Sequence, residues 1–305
     1  MVAPVAQPVV RRAFPFLPDR ESLLGKSLLS LAGVVRHVEP SRFVLRQQIR
    51  RRPTANIIVT CAYRSKYADL VQAMITGSPA PARWILWAVD DVDPRLKDLT
   101  VGQGRGPKLE LHQEMFAKGL HDDKPSPVPN ERPYWAIADD DLRLRRRTFT
   151  DLAAAAAIAE LDVFAPSHSW VSHWSHLVTL QRPLSLVRST HFVEIGPILV
   201  LSPKAQDLLL PFPAGMPGDW GLEAYWSSLH RPELRCGLVD AITMDHLVPM
   251  GRHYDSAAAW KHAQEWVKSL GIEDFAADQR AMTVTLGTWR PWKLRPSWTS
   301  PENRS

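Results

Sequence analysis

Three short apolar runs, NIIVTCA at 56–62, RWILWAV at 83–89 and YWAIA at 134–138, each end in polar residues, with helical spacing between them. A short unbroken apolar run is the mark of a strand buried on both faces. The first run is followed by SKYADLVQAMI, which has the spacing of a helix and stops at Gly77 and Pro79. Pro107, between the second and third runs, suits a first helical position. Strand alternating with helix predicts an α/β architecture, a mixed, mostly parallel sheet flanked by helices. Such sheets bind ligands at the carboxyl ends of their strands. Here those ends carry Tyr63 and Arg64, then Asp90 and Asp91, then Asp139, Asp140 and Asp141.

Beyond the third run the pattern predicts an alanine-rich helix at 151–160, a short strand at 162–165 and an apolar strand at 191–201. Helices at 202–210 and 218–229 and a strand at 235–242 follow. The last clear helix, 256–270, has an apolar face of Ala259, Trp260, Ala263, Trp266 and Val267. The tail reads as polar apart from its tryptophans and a few aliphatics. Proline clusters at 79–81, 125–129 and 211–217, which implies rigid loops and excludes a simple helical bundle. A chain of 305 residues suits a single large domain with decorated ends. The expected division is an irregular, partly helical arm over 1–55 with an amphipathic piece at 21–35, a catalytic domain over 56–255, and a terminal helix with a Trp- and Arg-rich tail over 256–305.

No stretch approaches the about 20 apolar residues that cross a membrane. The opening MVAPVAQPVVRRAFPF lacks the apolar core of a secretory signal. With two cysteines, Cys61 and Cys236, a reducing, cytoplasmic setting is expected. The chain is basic, with a net charge of +5 and a pI near 9.3. The excess lies in two runs, Arg42, Arg46 and Arg50 to Arg52, and Arg143 with Arg145 to Arg147. Such runs bind anions or serve as solvated faces. No nucleic-acid-binding motif accompanies them, so no nucleic-acid partner is expected.

A strand ending in Asp-x-Asp presents two carboxylates at the rim of a sheet. Mg²⁺ or Mn²⁺ is commonly held by one or two carboxylates together with substrate phosphates. Asp139 and Asp141 have that spacing, and a cation there would neutralise a diphosphate leaving group. The plain alternative is an acidic turn that caps the next element. DDDLR lacks the residues expected of aspartyl-phosphate phosphatases or nucleotidyltransferases, which sets those chemistries aside. In VGQGRGPKLELH the glycines allow close backbone approach, and Arg105 and Lys108 can meet phosphates; it is otherwise an ordinary surface loop. SHSWVSHWSH, with His168, His173 and His176, matches no catalytic zinc spacing and reads as a Trp- and His-lined loop beside the cleft.

NIIVTCAYRSKY, WILWAVDDVD and YWAIADDDL, followed by FVEIGPILVLSPKA, GDWGLEAYW and GLVDAITMDHLVPMGRHY, resemble the ordered blocks of GT-A glycosyltransferases over residues 56–254. The resemblance implies a GT-A-like, nucleotide-diphospho-sugar transferase fold acting with Mn²⁺ or Mg²⁺. It implies that Thr60, Ala62, Tyr63 and Arg64 line the nucleotide pocket, with Asp90 or Asp91 near the base or ribose. Asp139 and Asp141 would engage metal and diphosphate, Asp140 would stand on the donor side, and His246 would be a third metal or phosphate contact. Trp220 would face the acceptor, and Glu223 would be the base that takes the acceptor's proton. Glu223 is otherwise a glutamate favoured by the helix dipole, and His246 otherwise a core or loop histidine. The acceptor would be a glycan, a lipid-linked sugar or a small molecule. A competing reading keeps the fold without catalysis, as a module binding a protein or an anionic membrane through its Arg- and Trp-rich ends.

Overall fold

A computed structural model describes residues 56–292 except 79–81, 121–131, 146, 214–215, 217–219, 230, 250–251 and 253–254, together with Phe43, Gln47 and Ile49. The 21–35 helix, the first arginine run and the tail past Trp292 lie outside the described residues.

The strands are β1 (Ile57–Tyr63), β2 (Ala82–Ala88), β3 (Thr100–Gln103), β4 (Tyr134–Ala138) and β5 (Leu142–Arg145), then β6 (Val163–His168), β7 (Val187–Thr190), β8 (Ile198–Leu201), β9 (Cys236–His246) and β10 (Thr285–Trp289). They form one sheet in the order β10-β7-β9-β6-β8-β4-β1-β2-β3, with β5 paired to β9. The block β3-β2-β1-β4 is parallel, and so is β6 with β9. β8 runs antiparallel between β4 and β6, so β4 and β6 point the same way. The carboxyl ends of β1, β2, β4, β6 and β9 therefore share one rim. This mixed sheet between helices is the α/β class expected.

Around it lie α1 (Ala68–Gly77), α2 (Lys108–Leu120), α3 (Phe149–Ala159), α4 (Pro203–Leu209), α5 (Leu222–Ser228), α6 (Ser256–Ser269) and α7 (Phe275–Met282). The strand period of two divides the core. Ile57, Val59, Cys61 and Tyr63 join the cluster that also holds α1 and α3, while Ile58 joins the cluster of α2 and α4 to α7. The alanines of α3 are nearly all buried, which lets that helix lie close to the sheet, and a Thr148–Asp151 capping box fixes its start. No described helix is long and apolar enough to cross a membrane.

Two expectations change. The predicted strand at 191–201 is a strand only from Ile198. Residues 191–197 cross one face of the sheet instead, burying Phe192, Val193 and Ile195. The Gly196-Pro197 pair explains the break, since proline cannot donate to a central ladder. The tail predicted as polar adds α7 and β10, and Trp289 of β10 is fully buried. β10 covers the edge of β7, and its alternation is too weak to show in the sequence.

Candidate active site

The shared rim gathers the charged residues. β4 delivers Asp139 to Asp141, and Leu247, just past β9, bonds to the Asp141 carbonyl through its amide at 2.9 Å. That contact brings His246 beside the triplet. Ligand atoms of Asp139, Asp141 and His246 all lie within 4.8 Å of one another. His246 Nε2 is 3.3 Å from Asp141 Oδ1, and Lys108, at the start of α2, reaches Asp139 Oδ1 at 2.7 Å.

The electrostatics differ along the triplet. Burial holds the Asp139 carboxyl above the usual range despite Lys108, with Asp141 pushing the same way. Burial also works against ionising Asp141, but His246 outweighs it and holds that carboxyl low. Burial opposes a charge on His246, yet Asp141, then Asp139 and Glu194, raise its proton affinity. Cys61 lies under the triplet; burial, then the three aspartates, push its thiol up, so it is inert.

Asp140 is 2% exposed and turned inward. Its Oδ2 accepts from the Arg64 backbone amide at 2.8 Å and from Arg64 Nε at 2.9 Å, and its Oδ1 pairs with the second guanidinium nitrogen. Arg64 thus sits at the end of β1 with its charge answered by Asp140.

The other expected pocket residues divide. Thr60, expected to line the nucleotide pocket, is fully buried. Its hydroxyl lies 2.7 Å from His112 Nδ1, accepts from Trp135 Nε1 at 2.9 Å and donates to the Ala136 carbonyl at 3.2 Å. Tyr63 is buried too, its hydroxyl 3.2 Å from Thr100 Oγ1. The two side chains leave opposite faces of β1, and both faces are covered by packed helices, so neither presents a side-chain surface to the rim. Ala62 is half-buried, and Asp90 and Asp91 are exposed, with Asp90 Oδ1 accepting from the Ser65 amide at 2.7 Å. Arg105 is exposed. The glycines before it serve packing: the Trp87 ring covers Gly102, where a Cβ would come within 2.2 Å, and Trp87 Nε1 donates to the Gly104 carbonyl at 2.8 Å. Trp220 is half-buried, 6.0 Å edge-on from Trp260. Glu223 Oε1 accepts from the Ile195 amide at 3.2 Å.

Glu194 was not singled out in the sequence, where it lay inside an apparent strand. The Gly-Pro pair two residues on was the signal that the strand ends and that this glutamate reaches the rim. His168, at the end of β6, places Nε2 3.4 Å from Glu194 Oε2, while its Nδ1 lies 2.7 Å from Ser172 Oγ. The expected His168, His173 and His176 loop borders the site; among the described residues the three do not form a ligand cluster.

No family model and no curated protein matches the sequence. Among solved structures, the chain is similar to residues 1–349 of S. aureus TarS in complex with UDP-GlcNAc, at 13% identity and a TM-score of 0.45, covering 74% of this chain and 70% of that one. It is also similar to GalNAc-T7 with UDP, GalNAc and Mn²⁺, at 10% identity and a TM-score of 0.48. That match covers 72% of this chain and 49% of the GalNAc-T7 chain, so the chain spans about half its length.

Proposed function

We propose that this chain is a glycosyltransferase that moves a sugar from a nucleotide-diphosphate donor to an acceptor hydroxyl, with Mn²⁺ or Mg²⁺ as its cation. The observation that carries the reading is the convergence of Asp139, Asp141 and His246 at the carboxyl rim of the sheet, where α/β sheets bind ligands. Two hard carboxylate oxygens and one imidazole nitrogen fit such a cation. Bound there, it supplies charge to offset a departing diphosphate.

The chain's own residues do the rest of the binding. Lys108 and Arg105 meet donor phosphates, Asp90 or Asp91 meets the ribose or base, and Ala62 with the backbone of Tyr63 and Arg64 forms the floor. Asp140 fixes Arg64 and so shapes that floor from beneath. Trp220 serves the acceptor side. Glu223, already bonded to Ile195, holds the crossing segment 191–197 in place. The free Cys61 and Cys236 support work in a reducing, cytoplasmic setting, and the basic balance of the chain supports work near an anionic surface.

The test is calorimetric titration of UDP, GDP, ADP and dTDP, with and without Mn²⁺, against wild type and the Asp139→Asn, Asp141→Asn variant. Mn²⁺-dependent binding of one diphosphate, lost in the variant, is expected and names the donor base. Well-folded wild type that binds none of the four overturns the reading.

A further inference from the structure

We propose that Glu194, with His168 positioned behind it, takes the proton of the acceptor hydroxyl during transfer; the assignment rests on the glycosyltransferase reading above. The crossing segment that carries Glu194 is tied at two points. The Ile195 amide donates to Glu223 Oε1, and the Pro197 carbonyl accepts from the Asp139 amide at 2.9 Å. The second tie sets Glu194 beside the strand end that bears the candidate cation ligands.

The Glu194 carboxylate is 17% exposed at the side chain, yet its Oε2 is buried 3.4 Å from His168 Nε2, and neither atom has a hydrogen-bond partner among the described residues. Two lone pairs do not face each other at that distance in a buried site. A hydrogen on Nε2 is the arrangement that avoids this, although at 3.4 Å the pair does not yet meet hydrogen-bond geometry. Ser172 holds the ring in place: its Oγ lies 2.7 Å from Nδ1, accepts from the His246 amide at 2.8 Å and is 3.2 Å from the His173 carbonyl. The 3.4 Å separation is long for a hydrogen bond, as is common at catalytic pairs before substrate arrives. With Oε2 turned to His168, Oε1 is left for the acceptor.

The groups facing Glu194 are His168, His176 and His246. Burial opposes its charge, but these three histidines outweigh burial and keep the carboxyl below its usual range. It is thus ionised at neutral pH and able to accept a proton. In the step, the acceptor O–H bond breaks and its proton goes to Glu194 Oε1. The freed electron pair forms the bond to the sugar's anomeric carbon, and the bond from that carbon to the diphosphate oxygen breaks, its pair leaving with the diphosphate. Glu223 Oε1 accepts the Ile195 amide, which gives Glu223 a part in holding the segment that carries Glu194.

The experiment measures nucleoside diphosphate release from UDP-glucose, UDP-GlcNAc, GDP-mannose and ADP-glucose with water as acceptor, across pH, alongside calorimetric binding of the matching diphosphate with Mn²⁺. Glu194→Gln is expected to lose about 10²-fold or more in turnover while diphosphate binding stays within about threefold of wild type. His168→Phe removes the donor to Oε2, so the acid limb of the pH profile should move to higher pH. His168→Asn, which keeps an N–H, should move it less. Glu194→Gln turnover within about threefold of wild type overturns the assignment, as does an unmoved acid limb in His168→Phe. Diphosphate binding by wild type without turnover at any pH also overturns it and leaves the binding half of the function intact. Absence of all diphosphate binding overturns the function itself. Should Glu194→Gln fail to fold, the His168 pair of variants decides alone.

Discussion

Arg64 closes on Asp140 with both its guanidinium and its backbone amide, so the middle aspartate of the triplet is consumed inside the protein. This contact favours Asp139 and Asp141 as the pair of the proposed cation site. Asp140→Asn leaves a guanidinium, 25% exposed, without its counter-charge, and should cost roughly 2–4 kcal/mol of folding stability. Mn²⁺-dependent diphosphate binding should fall far less than in the Asp139→Asn, Asp141→Asn variant. Urea unfolding and calorimetry on the same samples separate the two effects. An Asp140→Asn protein of full stability that has lost the metal would reverse the assignment.

A second buried pair lies deeper. Arg188 and Asp240 are both fully buried, joined from Nε to Oδ2 at 2.7 Å and from Nη2 to Oδ1 at 3.0 Å. Arg188 also donates to the Val178 and Leu180 carbonyls, and Asp240 Oδ1 also accepts from Ser167 Oγ at 2.7 Å. Removing one partner strands a buried charge, so Arg188→Met should cost about 3–5 kcal/mol. Adding Asp240→Asn should cost less than the sum of the single changes. Additive losses in a double-mutant cycle from urea unfolding would show that the two residues do not act as a pair.

The strands that build the rim were legible because NIIVTCA, RWILWAV and YWAIA are buried on both faces and leave an unbroken apolar signal. The rim residues Arg64, Asp90 and Asp139 to Asp141 followed from where those runs stop. β5 and β10 were not legible, since LRLR and TLGTW owe their strand state to pairing with β9 and β7. Thr60 and Tyr63 were expected in the pocket from the resemblance; that each is buried instead follows from helices packed on both faces of β1, which no local pattern shows. Glu194 was hidden because the bend after it depends on crossing to a distant rim. The Arg188–Asp240 pair joins residues far apart in the chain, and no local pattern announces such a pair.

His112 is 1% exposed, with Nδ1 2.7 Å from the Thr60 hydroxyl. Burial, then the charge of Lys108, push its proton affinity well below the ordinary histidine value of 6.5. The unfolded chain therefore binds a proton that the folded chain refuses. Stability from this site is full above about pH 6.5 and is lost as pH falls below it toward the depressed folded value. His112→Gln should flatten that acid dependence at the expense of some stability at pH 8. Urea midpoints from pH 5 to 8 read the effect. An equally steep acid loss in the variant would assign it to other groups.

His246 poses the opposite case, because its proton is favoured. Its Nε2 stands 3.3 Å from Asp141 Oδ1, and the nearby carboxylates lift its proton affinity above the ordinary 6.5 even though burial works against the charge. A cation taken by Asp139, Asp141 and His246 must displace that proton, since an imidazole ligates only when neutral at the ligating nitrogen. Mn²⁺ affinity should therefore weaken by about tenfold per pH unit once pH drops below the raised value, one proton being released per cation bound. His246→Gln should bind Mn²⁺ more weakly at pH 8 and show a flatter pH dependence, because the competing proton is gone. Calorimetric Mn²⁺ titrations at pH 6, 7 and 8 in buffers of different ionisation enthalpy count the released proton directly. A wild-type affinity that is the same at all three values, with no proton released, would remove His246 from the ligand set and leave Asp139 and Asp141 to hold the cation without it.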